Sequence, residues 1–219
     1  MKRISLAITA KWEARVLDWI VGRLPGWVTP DLLTGLALCA AVVGGVAYGF
    51  AGRNIGLLML VNATLVVHWL ADSLDGRVAR YRKTPRPNYG HYVDHILDTC
   101  SAGLYLGGLA TSPLTKTSAW VWVMVLMLLS MVHVFLKTTV MKKFEMSLGW
   151  VGPTEARLAM IVMNLVILGV GNPTFMWLAV PLTLSDAVGW VTVGLVAAVL
   201  VPDVVKTATE LDRSDRSKR

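Results

Sequence analysis

Six runs of apolar residues occupy most of the 219-residue chain, and each is long enough to cross a lipid bilayer as a helix. Crossing the hydrocarbon core takes about 20 residues at ~1.5 Å rise per residue. Only 16% of the residues are charged, whereas soluble globular proteins have about 25%. We therefore predict an all-α integral membrane protein with six transmembrane helices, and we exclude a water-soluble enzyme. The runs lie at roughly 31–50, 55–80, 90–111, 117–139, 154–171 and 182–204.

The basic residues predict which ends of these helices face the cytoplasm. All but two of the 21 Lys and Arg residues lie before the first run, around the junctions of runs two and three and of runs four and five, or after the last run. The two exceptions are Arg53 and Lys116. Because Lys and Arg accumulate in cytoplasmic loops, we expect both termini in the cytoplasm. The net charge of +7 then reflects topology, and no nucleic acid partner is expected, since no cluster of cations lies on a soluble domain.

Residues 5–24 precede the first run and have the pattern of an amphipathic helix that ends at Pro25 and Gly26. Such a helix typically lies in the membrane interface. A plain basic tail that directs topology is the alternative, and neither alternative includes a cleaved signal peptide. On a helical projection the residues separate onto two sides, with Lys11, Arg15 and Asp18 on one and Trp12, Val16 and Ile20 on the other.

Four aspartates lie where the second run ends and the third begins. Helical spacing places Asp72 and Asp75 on one face of the second helix, and Asp94 and Asp98 on one face of the third. The connecting residues 81–89 are too few for anything but antiparallel neighbours. We therefore expect the four carboxylates to converge at the cytoplasmic level of the membrane, where carboxylates are costly and are candidates for function.

Electrostatic repulsion indicates what such a cluster holds. Two unit charges about 4 Å apart repel by on the order of 4 kcal/mol at an effective dielectric constant near 20. Four carboxylates therefore need either protons or divalent cations, and Mg²⁺ prefers oxygen ligands that it shares with a substrate's phosphates. Gly76 and Ala79 leave room for a diphosphate beside Arg80. The simpler alternative is that Asp72 and Asp75 are solvated near a helix end and that a helix dipole stabilises Asp94.

The same residues form a pattern that resembles the signature of the CDP-alcohol phosphotransferases, membrane enzymes that make phospholipids. Eight specified residues occur in order and within residues 72–98: Asp72-x2-Asp75-Gly76-x2-Ala79-Arg80-x9-Gly90-x3-Asp94-x3-Asp98. The layout of six helices after an interfacial helix is also similar to that family. From the apolar runs and the charge distribution we expect an interfacial amphipathic helix at 1–28, a six-helix transmembrane domain at 29–206, which the resemblance implies is catalytic, and a cytoplasmic tail at 207–219.

The resemblance also implies roles for individual residues. Asp72, Asp75 and Asp94 would bind divalent metal, with two Mg²⁺ or Mn²⁺ ions expected, and Asp98 would be the general base. The CDP site would be lined by Gly76, Ala79 and Arg80, with Thr34 as a further nucleotide contact, because Thr29-Pro30-Asp31-Leu-Leu-Thr34 resembles a Pro-Asn-x-x-Thr pattern of the family. Thr29 and Pro30 equally suit a plain helix start.

The reaction implied by the resemblance is transfer of a substituted phosphate from a CDP-linked donor to an alcohol hydroxyl, with release of CMP. CDP-diacylglycerol is the favoured donor. The alternative is a CDP-linked head group of the choline or ethanolamine type as donor and diacylglycerol as acceptor, which the pair Thr154-Glu155 favours. A cation-binding transporter is the alternative from a different class. A homodimer is the assembly that the resemblance implies.

Other residues allow two interpretations each. A phosphorylated acceptor would need cations, for which Lys137, Lys142, Lys143 and Arg157 are candidates, although membrane topology already accounts for them. His68 lies one helical turn before Asp72, where it could support a metal ligand or merely pack. We predict that Asp186 is a helix N-cap. Two small-x3-small pairs are expected to let helices approach closely, Gly45 with Gly49 and Gly103 with Gly107.

Overall fold

The computed structural model describes residues 10–141, 153–177 and 179–217, and within these ranges the chain is mostly helical. The elements have the following bounds: α1 Ala10–Val21, α2 Pro30–Ala51, α3 Leu57–Tyr81, α4 Pro87–Ala110, α5 Ala119–Met141, α6 Pro153–Val170, β1 Thr174–Trp177, β2 Val180–Thr183 and α7 Leu184–Arg216. The helices α2 to α7 match the six predicted runs in order. The predicted N-terminal helix at 5–24 corresponds to α1, and residues 5–9 lie outside the described ranges.

Five of the described helices are long and apolar enough to cross a membrane: α2, α3, α5, α6 and α7. Helix α4 has sufficient length, with 24 residues, but it is not among the five. It carries two aspartates and two histidines, which lower its apolarity. The chain is therefore a helical protein with five candidate membrane spans, and the sixth span stays a prediction.

The ends of two helices show their local causes in the sequence. Thr29 caps α2, because its hydroxyl accepts a hydrogen bond from the Leu32 amide at 3.2 Å, and Pro30 follows at the first helical position. At the start of α7 the cap is Thr183, while Asp186 is the third helical residue and bonds back to the Thr183 amide at 3.0 Å. The prediction that Asp186 is itself the N-cap was therefore wrong by three residues, because the two residues form a reciprocal capping box.

Helix α7 is longer than the apolar run that predicted it. It continues past Pro202 to Arg216, whereas the apolar run ends near residue 204. Most of the residues assigned to a cytoplasmic tail are thus a helical extension of the last candidate span. Helical backbone does not require apolar side chains, so hydropathy locates the span but not the end of the helix.

Two short strands between α6 and α7 were not predicted. They pair antiparallel, with Thr174 opposite Thr183 and Trp177 opposite Val180. In the tight connection Ala179 has a positive φ of 66°. Each strand has only four residues, too few for an alternating pattern to stand out beside 20-residue apolar runs.

Helix α2 lies between the two helices that carry the four aspartates, because both α3 and α4 pack along it. The packing of α2 on α4 is especially close: a Cβ placed on Gly108 would lie 2.0 Å from the Gly45 carbonyl oxygen. By contrast, α3 and α4 make little direct backbone contact with each other. The two helices therefore meet at their aspartates but do not pack directly along their length as expected, since both pack on α2.

Helix α1 packs against the C-terminal half of α3. Leu17 and Val21 are buried, in one apolar cluster with Leu74 and Val78. Beside this cluster, the Arg77 guanidinium lies 2.6 Å from the Asp18 carboxylate. Part of the apolar side of α1 is therefore covered by protein, and its position in a membrane interface stays a prediction.

Candidate metal centre

Three of the four predicted aspartates converge. One carboxylate oxygen from each of Asp72, Asp94 and Asp98 can be chosen so that all three atoms lie within 4.8 Å of one another. Asp72 comes from α3, while Asp94 and Asp98 are one turn apart on α4 and therefore face the same way. Their side chains are 21%, 27% and 29% exposed respectively, so all three are partly shielded from water yet reachable.

The fourth aspartate is held beside this group by a different helix. The Thr34 hydroxyl on α2 donates a hydrogen bond of 2.7 Å to Asp75 Oδ2. Asp75 lines the same cavity as the other three aspartates but is not within the group of converging oxygens. Thr34, expected from the sequence as a nucleotide contact, is thus also the residue that orients the Asp75 carboxylate.

The aspartates line a small cavity where α2, α3 and α4 meet. Its volume of about 10 Å³ is about that of one water-sized sphere, and Leu and Ala side chains also line it. His68 also lines it, is 3% exposed, and has no hydrogen-bond partner for its Nδ1 within the part of the chain that the structure describes. The lining residues are Thr34, Ala37, Leu38, His68, Asp72, Asp75, Asp94, Leu97, Asp98 and Ser101.

A cation from helix α6 also reaches the aspartates. Arg157 Nη2 lies 3.0 Å from Asp72 Oδ2 and 3.7 Å from Asp98 Oδ1, and the arginine side chain is only 15% exposed. From the sequence, Arg157 was a candidate for binding a phosphorylated acceptor or was accounted for by membrane topology. Its contact with the aspartates was not predicted. The available signal was its place one turn inside an apolar helix, where a lone cation needs a partner.

The residues expected to line a nucleotide site follow the aspartates along α3. Gly76 and Ala79 are partly exposed and Arg80 is exposed. A Cβ on Gly76 would lie 3.4 Å from Arg80 Nη1, so the guanidinium lies against the glycine. These three residues do not line the cavity itself. They lie between the aspartates of α3 and the C-terminal end of that helix, and their contact with a nucleotide stays a prediction.

The donor set fits a divalent cation. Carboxylate oxygens are the ligands that Mg²⁺ and Mn²⁺ prefer, and oxygens within 4.8 Å of one another can share one ion or bridge two. The buried, unpartnered Nδ1 of His68 adds a polar atom at the same cavity that could support a ligand from behind. Basic side chains lie against these aspartates: Arg157 contacts Asp72 and Asp98, and His95 Nδ1 lies 3.7 Å from Asp94 Oδ2.

The remaining cations proposed for an acceptor phosphate do not all reach the site. Lys137 on α5 binds Asp203 on α7, with its Nζ 3.1 Å from both carboxylate oxygens. His133 contacts the same carboxylate at 2.9 Å, a pairing that sequence analysis missed because the partners are 70 residues apart. Lys142 and Lys143 lie outside the described residues. Glu155 begins α6 in the turn before Arg157 but does not line the cavity.

Comparison with protein families gives one match. Residues 27–185 match the family described as CDP-alcohol phosphatidyltransferase, a range that includes all four aspartates, Thr34 and Arg157. No curated protein matches the chain significantly.

Proposed function

The chain belongs to the CDP-alcohol phosphatidyltransferase family, and on that basis we propose that it moves a substituted phosphate from a CDP-linked donor to an alcohol hydroxyl and releases CMP. The favoured donor is CDP-diacylglycerol, with a small polar alcohol as acceptor. The product would then be a phospholipid, made where the membrane meets the cytoplasm. Membership of a phosphotransferase family argues against a cation transporter.

The observation that carries the proposal is the convergence of Asp72, Asp94 and Asp98 from two helices onto one cavity, with Asp75 beside them. A carboxylate cluster of this kind is costly near hydrocarbon, and a membrane chain has little structural use for it. A site that binds metal together with a diphosphate gives the cluster a purpose. The positive-inside distribution of Lys and Arg supports placing this site, and both termini, on the cytoplasmic side.

Each residue then has a part in the reaction. Asp72, Asp75 and Asp94 hold divalent metal, and Thr34 fixes the direction of the Asp75 carboxylate. When bound, two divalent ions neutralise charge on the donor's diphosphate oxygens. Asp98 takes the proton of the acceptor hydroxyl.

The bonds change at the donor's β-phosphorus. The acceptor oxygen forms a bond to this phosphorus, while the bond from the phosphorus to the bridging oxygen breaks and CMP leaves with that oxygen. Arg80, at the cytoplasmic end of α3, offsets charge on the leaving group. No covalent intermediate with the protein is required.

The reverse use of substrates is the second candidate within the family. A CDP-linked choline or ethanolamine would be the donor and diacylglycerol the acceptor. The pair Thr154-Glu155 at the start of α6 favours this alternative, because it is similar to what the choline and ethanolamine enzymes carry at this helix.

A donor panel tests the proposal and decides between these candidates. Purified full-length protein in detergent or lipid, with Mg²⁺ or Mn²⁺, is given CDP-diacylglycerol, CDP-choline or CDP-ethanolamine with matched acceptors, and CMP is measured. We expect release with CDP-diacylglycerol and none from the Asp94→Asn variant. Failure to release CMP with every donor, together with Mn²⁺ binding that Asp94→Asn leaves unchanged, would contradict the enzyme proposal. Cross-linking in native membranes tests the homodimer separately.

A further inference from the structure

Arg157 occupies a position that a substrate-binding or topological cation would not need. Its Nη2 lies between carboxylates of two different helices, 3.0 Å from Asp72 Oδ2 and 3.7 Å from Asp98 Oδ1. The guanidinium is therefore inside the aspartate group, since both of these residues belong to the three whose oxygens converge.

Burial makes this contact more than a surface ion pair. The Arg157 side chain is 15% exposed and Asp72 is 21% exposed. Removing one partner of a shielded pair leaves the other charge unpaired, which is costly. Arg157 therefore stabilises the aspartates whenever no metal is bound. It lies on α6, a helix that packs against α3.

One of the two carboxylates that Arg157 contacts is a proposed metal ligand, because Asp72 would bind divalent metal whereas Asp98 would be the base. A bound Mg²⁺ sits about 2.0–2.1 Å from its oxygen ligands, closer than Arg157 Nη2 is to Asp72 Oδ2. A guanidinium and a divalent cation on one carboxylate group repel each other in surroundings poor in water. Loading of the site thus requires that Arg157 loosen its hold on Asp72.

We propose that Arg157 is a resident counter-cation that competes with divalent metal for Asp72, and thereby sets how tightly the site binds metal. The inference rests on the proposed function, because it takes Asp72 to be a metal ligand. It makes Arg157 a positioning residue that acts through Asp72, with its guanidinium withdrawing from this carboxylate as metal binds.

Metal affinity of the purified full-length protein tests this directly. Mn²⁺ binding is measured by the loss of the free-ion electron paramagnetic resonance signal, without substrate, for the wild type and for Arg157→Gln. Loss of a competing charge in a partly buried pair is expected to tighten binding roughly ten-fold. Arg157→Lys keeps the charge but cannot span both carboxylates, so its affinity is expected between the two. Unchanged or weaker Mn²⁺ binding by both variants would overturn the proposal, because Arg157 would then merely hold the ligands in place.

Arg77→Gln is the matched control. It removes one arginine charge from the C-terminal half of α3, where Arg77 pairs with Asp18 and not with the aspartate group. We expect its Mn²⁺ affinity to equal that of the wild type. An equal gain in affinity for Arg77→Gln and Arg157→Gln would trace the effect to net charge and overturn the inference.

Thermal unfolding supplies the second readout. Metal-free Arg157→Gln is expected to unfold at a lower temperature than the wild type, and added Mg²⁺ is expected to raise its unfolding temperature by more. If Arg157→Gln lowers the unfolding temperature equally with and without Mg²⁺, Arg157 has a purely structural role and the proposal is contradicted. If Arg157→Gln does not fold, Arg157→Lys decides the question. If the wild type does not bind Mn²⁺, both this inference and the proposed metal site are overturned. If the wild type binds Mn²⁺ and the Arg157 variants bind it with the same affinity, this inference alone is overturned.

Discussion

Asp75 is oriented by a hydroxyl group of another helix, whereas Asp72 and Asp98 contact the Arg157 guanidinium. The Thr34 hydroxyl donates to Asp75 Oδ2 at 2.7 Å, and Thr34 lies one turn into α2. The carboxylate therefore keeps one direction although its own helix allows several rotamers. Through this single hydrogen bond, α2 contributes to a site whose carboxylates come from α3 and α4.

Thr34→Val removes this hydrogen bond and keeps the shape of the side chain. A hydrogen bond to a charged group contributes about 1.5–3 kcal/mol, so we expect Mn²⁺ affinity to fall at least about ten-fold. Thr34→Ser keeps the hydroxyl and is expected to bind like the wild type. The measurement is Mn²⁺ titration by electron paramagnetic resonance, and equal affinities for the Val and Ser variants would show that the hydrogen bond does not matter.

Asp98→Asn separates proton transfer from metal binding. If Asp98 is the base, its amide cannot take the acceptor's proton, and CMP release should fall by roughly 10²–10⁴-fold, the usual contribution of general base catalysis. Mn²⁺ affinity should stay close to that of the wild type. If Asp98→Asn loses both CMP release and most of its Mn²⁺ binding, Asp98 is a metal ligand instead. Asp94→Asn, which changes a proposed metal ligand, is expected to show this combined loss and serves as the comparison.

Glycines set the spacing of α2 and α4, and the structure shows which ones. The close approach joins Gly45 to the backbone of α4 at Leu104 and Gly108, whereas a Cβ on Gly103 would meet nothing within 4 Å. Of the two predicted small-x3-small pairs, Gly45 is thus in a close contact and Gly103 is not. Because α4 carries Asp94 and Asp98, this contact fixes how far these carboxylates lie from α3.

Gly108→Ala tests that spacing. Its Cβ would fall 2.0 Å from the Gly45 carbonyl oxygen, which is backbone and cannot move aside alone. Overpacking of this kind costs about 1–3 kcal/mol, so we expect a lower unfolding temperature in detergent and reduced Mn²⁺ affinity. Gly103→Ala is the matched control on the same helix and is expected to change neither. If Gly108→Ala unfolds at the wild-type temperature, α2 and α4 are farther apart than described.

Across the whole molecule, a second polar centre lies at the opposite ends of the helices from the aspartate site. Asp186, fully buried at the start of α7, accepts hydrogen bonds from the amides of Lys116, Thr117 and Thr183 and from the hydroxyls of the two threonines. It joins the connection between α4 and α5 to the end of the strand pair. The ends of several elements are therefore fixed far from the site.

Asp186→Asn should destabilise the fold without changing CMP release by the folded protein. An amide group would place its N–H donors against the N–H and O–H donors around it in a buried position, at a cost of about 1–3 kcal/mol. We expect a clearly lower unfolding temperature and normal CMP release by the folded fraction at low temperature. Asp212→Asn, which breaks only an exposed pair with Arg216, serves as control. Lost CMP release in folded Asp186→Asn would mean that the two ends of the molecule are coupled.

The sequence by itself determined the helices, their order and the aspartates. Runs of about 20 apolar residues can satisfy their backbone hydrogen bonds in lipid only as helices, so α2, α3, α5, α6 and α7 follow from hydropathy alone. The 3.6-residue period then places Asp94 and Asp98 on one face whatever lies opposite. Hydropathy did not predict the short strands or the helical extension of α7 to Arg216, since neither depends on a long apolar run.

Only the tertiary structure decided which parts of these helices meet. Arg157 against Asp72, Thr34 against Asp75 and Gly45 against Gly108 join residues from different helices. Within a helix, periodicity fixes neighbours at three or four residues, but between helices the partners depend on the rotation, depth and crossing of each helix in the bundle. Those quantities result from packing of the whole chain. The packing brings the four predicted aspartates together around one cavity, with α2 between the helices that carry them and the Arg157 guanidinium in contact with two of them.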